Sequence, residues 1–341
     1  MNKQAPLISV ILPVYNAVDC LDITLQALLS QVEVSLEIVA VDDGSTDASG
    51  QMLDTYAARH TNIMVIHTAN QGAGKARQEG LARARGDYIG FCDSGDEPDA
   101  TLYATMLKRL SETDADMVAC GFCRFDAKSG QAARAEMLGF AAEPYLIADD
   151  PGVLLAVNTA LWNKLYKAEL LDDAARGLAL PRVAEDMVLQ LLLYRGVQKV
   201  VFVNQALYRY RVTAGSLMSG ATMADLEDLR ASLCQVRELI VATSAATPQN
   251  HDILDICDLS AFIHLGLSLP LRLITTPSLS LSQALRQVRA MLKRDFPRST
   301  TSQLGSLSAV LRHRGRNARL FVARLCQRLH LMLPLVGFLR L

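Results

Sequence analysis

From residue 8 onward the chain alternates apolar, β-branched runs with stretches of helical spacing. Ile8-Ser-Val-Ile-Leu-Pro-Val14 is followed by leucines at 21, 25, 28 and 29 within Asp19–Gln31. Glu37-Ile-Val-Ala-Val41 then precedes a helical stretch from about Ala48 to Arg59. Ile63-Met-Val-Ile66 and Asp87-Tyr-Ile-Gly-Phe91 repeat the scheme, with Gly74–Arg85 as the helix between them. Strands that read as nearly continuous apolar runs, separated by helices, predict an α/β fold with a parallel sheet covered on both faces. Ligands of such sheets bind beyond the carboxyl ends of the strands, at the switch in strand order. The residues that follow each strand are therefore the ones to inspect: Tyr15-Asn16, Asp42-Asp43-Gly44-Ser45 and Asp93-Ser94-Gly95-Asp96.

After Asp116-Met-Val-Ala-Cys120 the pattern loosens. Gly121–Leu146 reads as turns and short strands, and Val153–Leu171 is mixed and holds the one tryptophan, Trp162. A helix over Glu185–Tyr194 follows Pro181, then a strand over Lys199–Val203. Beyond about Met223 everything reads as helical, with breaks at Pro248, Pro270 and Pro277. The pattern divides the chain into a nucleotide-binding α/β domain over 1–220 and a helical region over 221–341.

Composition changes this picture in two places. Half of the 341 residues are apolar and 20% are charged, which excludes a disordered chain, a collagen-like repeat and a disulfide-stapled miniprotein. The formal net charge is −1, against wholesale nucleic-acid binding, but residues 284–341 hold twelve Lys or Arg and one acid, Asp295. That stretch carries +11 and the rest −12, which points to a basic module with an anionic partner, a membrane surface first. On a helical wheel of Arg316–Met332, Arg316, Arg319, Arg324 and Arg328 fall on one half, opposite Phe321, Val322, Leu325 and Leu329. Such a helix either lies on anionic lipid or packs on the protein with its arginines in solvent.

Seven scattered cysteines fit reduced thiols and a cytoplasmic location. Cys120-x-x-Cys123 has no second pair nearby and reads as buried small side chains rather than a zinc site. No basic-then-apolar leader opens the sequence. The apolar runs Leu259–Leu271 and Leu329–Leu341 are too short to span a membrane. The expected location is the cytoplasm, with peripheral contact to the cytoplasmic face of the inner membrane through the tail.

The acids at the strand exits carry the candidate chemistry. Asp42-Asp43 and the cluster Asp93, Asp96, Glu97 would converge at one rim of the sheet. Clustered carboxylates need a positive charge between them, and Mg²⁺ typically takes one or two carboxylates plus substrate phosphates. The plainer reading makes these residues turn formers and helix caps. Gly72-Ala-Gly74-Lys75 lacks the spacing of a phosphate loop, and no G-x-G-x-x-G follows the first strand, which removes the main support for a dinucleotide oxidoreductase. Lys75 and Arg77 either approach a diphosphate or line a solvated helix face. Glu185-Asp186 open a helix, where the amino-end partial charge favours an ionised carboxylate with a lowered pKa, suited to accepting a proton late in a reaction with a good leaving group. A capping acid is the alternative.

Val10-Ile-Leu-Pro-Val-Tyr-Asn16, Val41-Asp-Asp-Gly-Ser-Thr-Asp47, Asn70-Gln-Gly-x-Gly-x-Ala-Arg77 and Phe91-Cys-Asp-Ser-Gly-Asp96 resemble, in order and spacing, the family 2 inverting glycosyltransferases of the bacterial surface-polysaccharide type. Trp162-Asn-Lys-Leu-Tyr166, Glu185-Asp186 and Tyr208-Arg-Tyr-Arg211 through Gly215-Ser216 resemble that family's later landmarks, so the likeness covers residues 6–220. It implies the GT-A fold, a UDP-sugar donor, Mg²⁺ or Mn²⁺ as cofactor, and a glycan or lipid-linked glycan acceptor. It further implies that Tyr15 stacks on the base, Asp43 bonds the uracil edge, Asp93 and Asp96 form the metal-and-diphosphate motif, Asp186 is the base and Arg211 reaches the phosphates. Pro13, Asn16, Lys75, Arg77 and Glu185 complete the implied substrate-binding set. Gly95 stands where the family pattern often has a third acid, which leaves Asp93 and Asp96 as alternative direct ligands. A sugar nucleotidyltransferase is the second enzyme class to consider, but it would carry a Gly-rich, Arg/Lys-bearing loop after the first strand, where this chain has Val14-Tyr-Asn-Ala17. A non-catalytic sugar-nucleotide-binding partner is the third reading.

Overall fold

The computed structural model describes residues 5–126, 131–212, 222–243, 248–268, 281–306 and 322. The Gly215-Ser216 landmark and nearly all of the Arg316–Met332 wheel lie outside the described residues. The chain forms two compact units, the first comprising 1–146, 159–180 and 185–214, the second 147–158, 181–184 and 215–341.

The first unit begins with β1 (Leu7–Val14), α1 (Leu21–Leu29), β2 (Ser35–Asp42), α2 (Ser49–Ala57), β3 (Ile63–His67), α3 (Ala73–Leu81) and β4 (Tyr88–Phe91). It continues through β5 (Glu97–Pro98), α4 (Leu102–Thr113), β6 (Met117–Asp126) and β7 (Tyr145–Leu146). β8 (Lys164–Lys167), α6 (Asp173–Gly177), α7 (Glu185–Tyr194) and β9 (Lys199–Val212) complete it. Among the described residues the strands form one nine-stranded sheet ordered β3-β2-β1-β4-β8-β6-β9-β5, with β7 on β9. β3, β2, β1 and β4 are all parallel, β8 runs antiparallel to both β4 and β6, and β6 and β9 are parallel again.

β1 is central, and seven of its eight residues are buried. Ile8, Val10, Leu12 and Val14 meet Leu21, Leu25 and Leu28 of α1 and Leu102, Tyr103 and Met106 of α4 in one core. The opposite face closes on α3, where a Cβ on Gly80 would stand 2.7 Å from Cγ2 of Ile11. Only a residue without a side chain allows the helix to approach the sheet so closely. Ser9, on that second face, donates to Glu37, which also accepts three bonds from Arg85, so this buried carboxylate is fully paired. Pairing of β1 with β4 ends at Ile11, so the missing N–H of Pro13 breaks no bond to that neighbour. Because β1 connects toward β2 on one side and lies against β4 on the other, the order of strands switches between β1 and β4.

Two strands run further than the apolar pattern predicts. β9 extends from the expected Val203 to Val212, and β6 extends past Cys120 to Asp126. They stay paired throughout, with shifts of register on both sides of Gly121. A Cβ there would lie 2.9 Å from the carbonyl oxygen of Gln205, so glycine lets the bulged backbone pass. Cys120 is buried and Cys123 half-buried; both are free thiols.

The second unit is helical: α5 (Val153–Ala156), α8 (Met223–Thr243), α9 (Pro248–Ile263) continuing into a π-helical turn at His264–Ser268, α10 (Leu281–Asp295) and α11 (Arg298–Thr301). Leu229, Leu233, Val236, Ile256, Phe262 and Phe296 are buried in it. The fully buried Asp258 is held by Arg237 Nε at 3.0 Å and the Arg298 N–H at 2.8 Å. α10 buries Val288, Met291 and Leu292 while Arg286, Arg289 and Lys293 are exposed. No helix among the described residues is long and apolar enough to cross a membrane.

Candidate active site

The exit of β1 leaves Tyr15 half exposed, at 50%, and puts Asn16 in left-handed backbone, φ 48°. Asn16 Oδ1 accepts from the Thr46 N–H at 2.8 Å, and its own N–H donates to Ser45 Oγ at 3.0 Å. The turns after β1 and β2 are thereby tied together, with Tyr15 left as an aromatic plate on the rim, suited to stacking.

Asp42 and Asp43 diverge. Asp42 accepts from the Ser45 N–H at 3.0 Å and bonds His67 Nδ1 at 2.9 Å; the other ring nitrogen of His67 meets Asp54 at 3.0 Å. Asp43, 3% exposed, accepts the N–H of Gln71 on one oxygen and that of Gly72 on the other, both at 2.8 Å. Both acids serve turns, the plainer of their two readings, instead of joining Asp93 and Asp96 around one cation. Asp43 Oδ1 also accepts from Thr68 Oγ1 at 3.5 Å, and Oδ2 still has a lone pair to offer a ligand. Replacing Asp43 with Ala strands two N–H donors of charge-assisted bonds, each bond worth about 1.5–3 kcal/mol. UDP affinity by titration calorimetry is expected to fall at least about tenfold. An unchanged dissociation constant would separate this loop from nucleotide binding.

Lys75 is 45% exposed and faces Glu79 at 3.5 Å, as on a solvated helix face. Arg77, two residues on, is only 5% exposed. Its Nη2 donates to Asp93 Oδ1 at 2.8 Å and its Nη1 to Glu185 Oε1 at 2.6 Å. The positive charge among the clustered acids is thus a guanidinium of the chain itself. Burial opposes its charge, but Asp93, Glu185 and Asp186 outweigh that and raise its pKa.

The turn after β4 is built from within. Gly95 is left-handed, φ 101°, and a Cβ on it would lie 3.1 Å from Cys20 Sγ and 3.2 Å from Arg211 Cδ. The position that lacks the family's third acid thus requires glycine for its backbone and its neighbours. Asp96 is 2% exposed and accepts from Tyr208 Oη and the Arg211 N–H, both at 2.8 Å. Burial and the charge of Asp93 push its pKa up to about 8 against those two donors. Arg211 Nε donates to the Gly95 carbonyl at 3.1 Å, so that side chain braces the turn. Beneath it, Trp162 stacks on Tyr208 (centroids 4.5 Å, planes 14° apart) and on Tyr210 (5.3 Å, 10°), and meets Phe122 edge-on at 4.8 Å.

Glu185 and Asp186 form the first turn of α7, after a left-handed Ala184 (φ 59°). Asp186 Oδ1 accepts from the Met187 N–H at 2.7 Å. The helix-end argument predicts a lowered pKa for Asp186, and the structure reverses it. Burial first, and then the adjacent charge of Glu185, push it up to about 7, against Arg77 and the Met187 N–H. Lost hydration outweighs the partial charge of one helix turn. Lys164, fully buried, donates to the Ala160 carbonyl and to Asn163 Oδ1, the latter at 3.0 Å. Burial lowers its pKa to about 7, with the charge of Asp186 working the other way.

The structure therefore groups Asp93, Arg77, Glu185 and Asp186, and gives Asp43, Asp96, Asn16 and Arg211 to the turns around them. Among the described residues no set of three or more His, Cys, Asp or Glu is gathered to hold a metal. Asp93 nevertheless fits a cation shared with a diphosphate: its side chain is 34% exposed, and its Oδ2 has no partner among the described residues. The landmarks Trp162–Tyr166 and Tyr208–Arg211 carry no role for Trp162 or Lys164 in the sequence; the structure sets the Trp162 stack beneath the Asp93–Asp96 turn, and the alternation of Tyr208 and Tyr210 is its signal in the sequence.

The family model described as Glycosyl transferase family 2 matches residues 9–172. GlyG of Streptococcus pneumoniae, named a glycosyltransferase, is 30% identical over 230 residues, covering 63% of this chain and 74% of that protein. EpsJ of Bacillus subtilis, named an uncharacterized glycosyltransferase, is 32% identical over 223 residues, 62% of this chain; the match spans 63% of the length of EpsJ. In fold, the chain is similar to residues 1–349 of TarS from S. aureus, solved in complex with UDP-GlcNAc, with a TM-score of 0.68 at 20% identity over 95% of this chain and 92% of that one.

Proposed function

The chain belongs to glycosyl transferase family 2, and from that premise we propose that it moves a sugar from a UDP-sugar to an acceptor hydroxyl with inversion, in the assembly of surface polysaccharide. The observation that carries this reading is the half-buried Asp186 beside Glu185, which Arg77 bridges to Asp93, the acid with an open carboxylate oxygen. A carboxyl balanced near neutral pH is a stronger base than a solvent-exposed one, yet is still ionised often enough to work. Asp186 orients the acceptor hydroxyl and takes its proton as the sugar leaves the diphosphate. A single displacement turns an α-linked donor into a β-glycoside.

Tyr15 offers its ring to the base, and Asp43 holds the 68–72 loop beside it. The UDP-GlcNAc complex of TarS, a protein of the same fold, supports uridine as the nucleoside. Of the two acids, Asp93 is the one we assign to Mg²⁺ or Mn²⁺, because its side chain is 34% exposed with one oxygen open, whereas Asp96 is 2% exposed. A bound cation supplies charge neutralisation for the departing diphosphate. The charge of residues 284–341, with Arg286, Arg289 and Lys293 exposed on α10, supports peripheral contact with an anionic membrane, where a lipid-linked glycan would serve as acceptor.

The test is UDP release from a panel of UDP-sugars, with Mn²⁺, with Mg²⁺ and with chelator. Release from one member of the panel, lost with chelator and restored by metal, is expected. Pyrophosphate formation from UTP and a sugar phosphate would replace this reading with nucleotidyl transfer. Binding without turnover against glycan and lipid-linked acceptors would reduce the protein to a sugar-nucleotide binder.

A further inference from the structure

Arg77 is the buried cation that touches acids on both sides of the site. Its two partners are far apart in sequence, 16 and 108 positions from it. One sits on the turn after β4 and the other on the first turn of α7. α3 also gives that turn a flat seat, since a Cβ on Gly74 would stand 3.1 Å from Cβ of Glu185. Arg77 thus fits neither sequence-based alternative. It is not on a solvated face, and both of its terminal nitrogens are spent on carboxylates of the chain.

We propose that Arg77 is a positioning residue: a strut between the Asp93 turn and α7 that fixes where Asp186 stands and keeps it ready to accept a proton. The proposal rests on the reading of Asp186 as the base. The planar guanidinium holds its two terminal nitrogens at a set separation, so bonds from both lock the distance between the acids they grip. Lysine, with one nitrogen on a flexible stem, carries the charge but cannot span the two. The strut also balances charge. Glu185 on the same helix and Asp93 at the β4 exit favour a proton on Asp186; Arg77 on α3 and Lys164 on β8 favour its loss, and Tyr166 on β8 and Tyr210 on β9 also feel its charge. Removing Arg77 and neutralising Glu185 must therefore move Asp186 in opposite directions.

The experiment uses the full chain with ¹³C-labelled aspartate carboxyls. The Asp186 signal is assigned by its loss in Asp186→Asn and followed through pH by NMR, alongside calorimetric titration with UDP. In Arg77→Met the Asp186 midpoint is expected to rise by at least about half a pH unit, and in Glu185→Gln to fall by a similar amount. UDP affinity in either variant should fall by less than about tenfold. Arg77→Lys should restore the midpoint yet keep a lowered kcat for UDP release with KM unchanged. An unmoved midpoint in Arg77→Met overturns the strut. So does a loss of UDP affinity of about tenfold or more, which would put the guanidinium on the diphosphate. If Arg77→Met does not fold, Glu185→Gln decides alone: a downward shift supports the proposal and none overturns it. Transfer that survives in Asp186→Asn while both midpoint shifts appear would remove the base assignment and leave the strut standing.

Discussion

Asp186→Asn is expected to lower sugar transfer about a thousandfold while UDP binds as tightly as to the parent chain. The amide keeps the shape of the side chain and an oxygen for the Met187 N–H at the helix start, but it cannot take a proton. The loss should therefore fall on kcat. The pH profile carries the same information. Asp186 accepts a proton only as a carboxylate, so transfer by the parent chain should rise with pH up to about 7, where burial has moved its ionisation, and level off above. The residual activity of the Asn variant should show no such rise. A comparable drop in UDP affinity would mean that Asp186 belongs to the donor site.

Trp162→Ala should have the largest effect on stability, about 3–5 kcal/mol by urea unfolding followed by circular dichroism. The indole is 7% exposed and fills the space between two stacked tyrosines and an edge-on phenylalanine, so truncation leaves a cavity and forfeits ring contacts. The damage should reach the site as well. Tyr208 holds Asp96 through its hydroxyl, which also accepts from the Asp93 N–H at 3.3 Å. UDP affinity is expected to fall along with stability. Trp162→Phe, which keeps a stacking ring, should recover most of both. Retained UDP affinity in a strongly destabilised Ala variant would show that the turn holds itself.

The half of the sheet that was legible in the sequence is the half buried on both faces. β1 and β2 read as apolar runs because nearly all of their side chains are buried, and α7 matches the expected Glu185–Tyr194. The far half of β9 was illegible as a continuous run because its faces differ. Tyr208 and Tyr210 stack on Trp162, whereas Arg209 lies over Phe125 at 4.7 Å. Its signal is a period of two, hidden among charged residues. The strand exits were legible as places, since topology fixes them, but the division of labour among their acids was not. Whether Asp43 caps a loop or Asp93 stays open depends on backbone N–H groups and a guanidinium brought in from elsewhere in the chain. The lowered pKa expected for Asp186 failed for the same reason: it counted the nearest turn of helix and left out desolvation and the charge of Glu185.

Trp162 is the chain's one tryptophan. Its emission therefore reads a single place, the ring stack that supports the Asp93–Asp96 turn through Tyr208. The protein carries its own optical probe of that turn, with no label to attach and no second indole to dilute the signal.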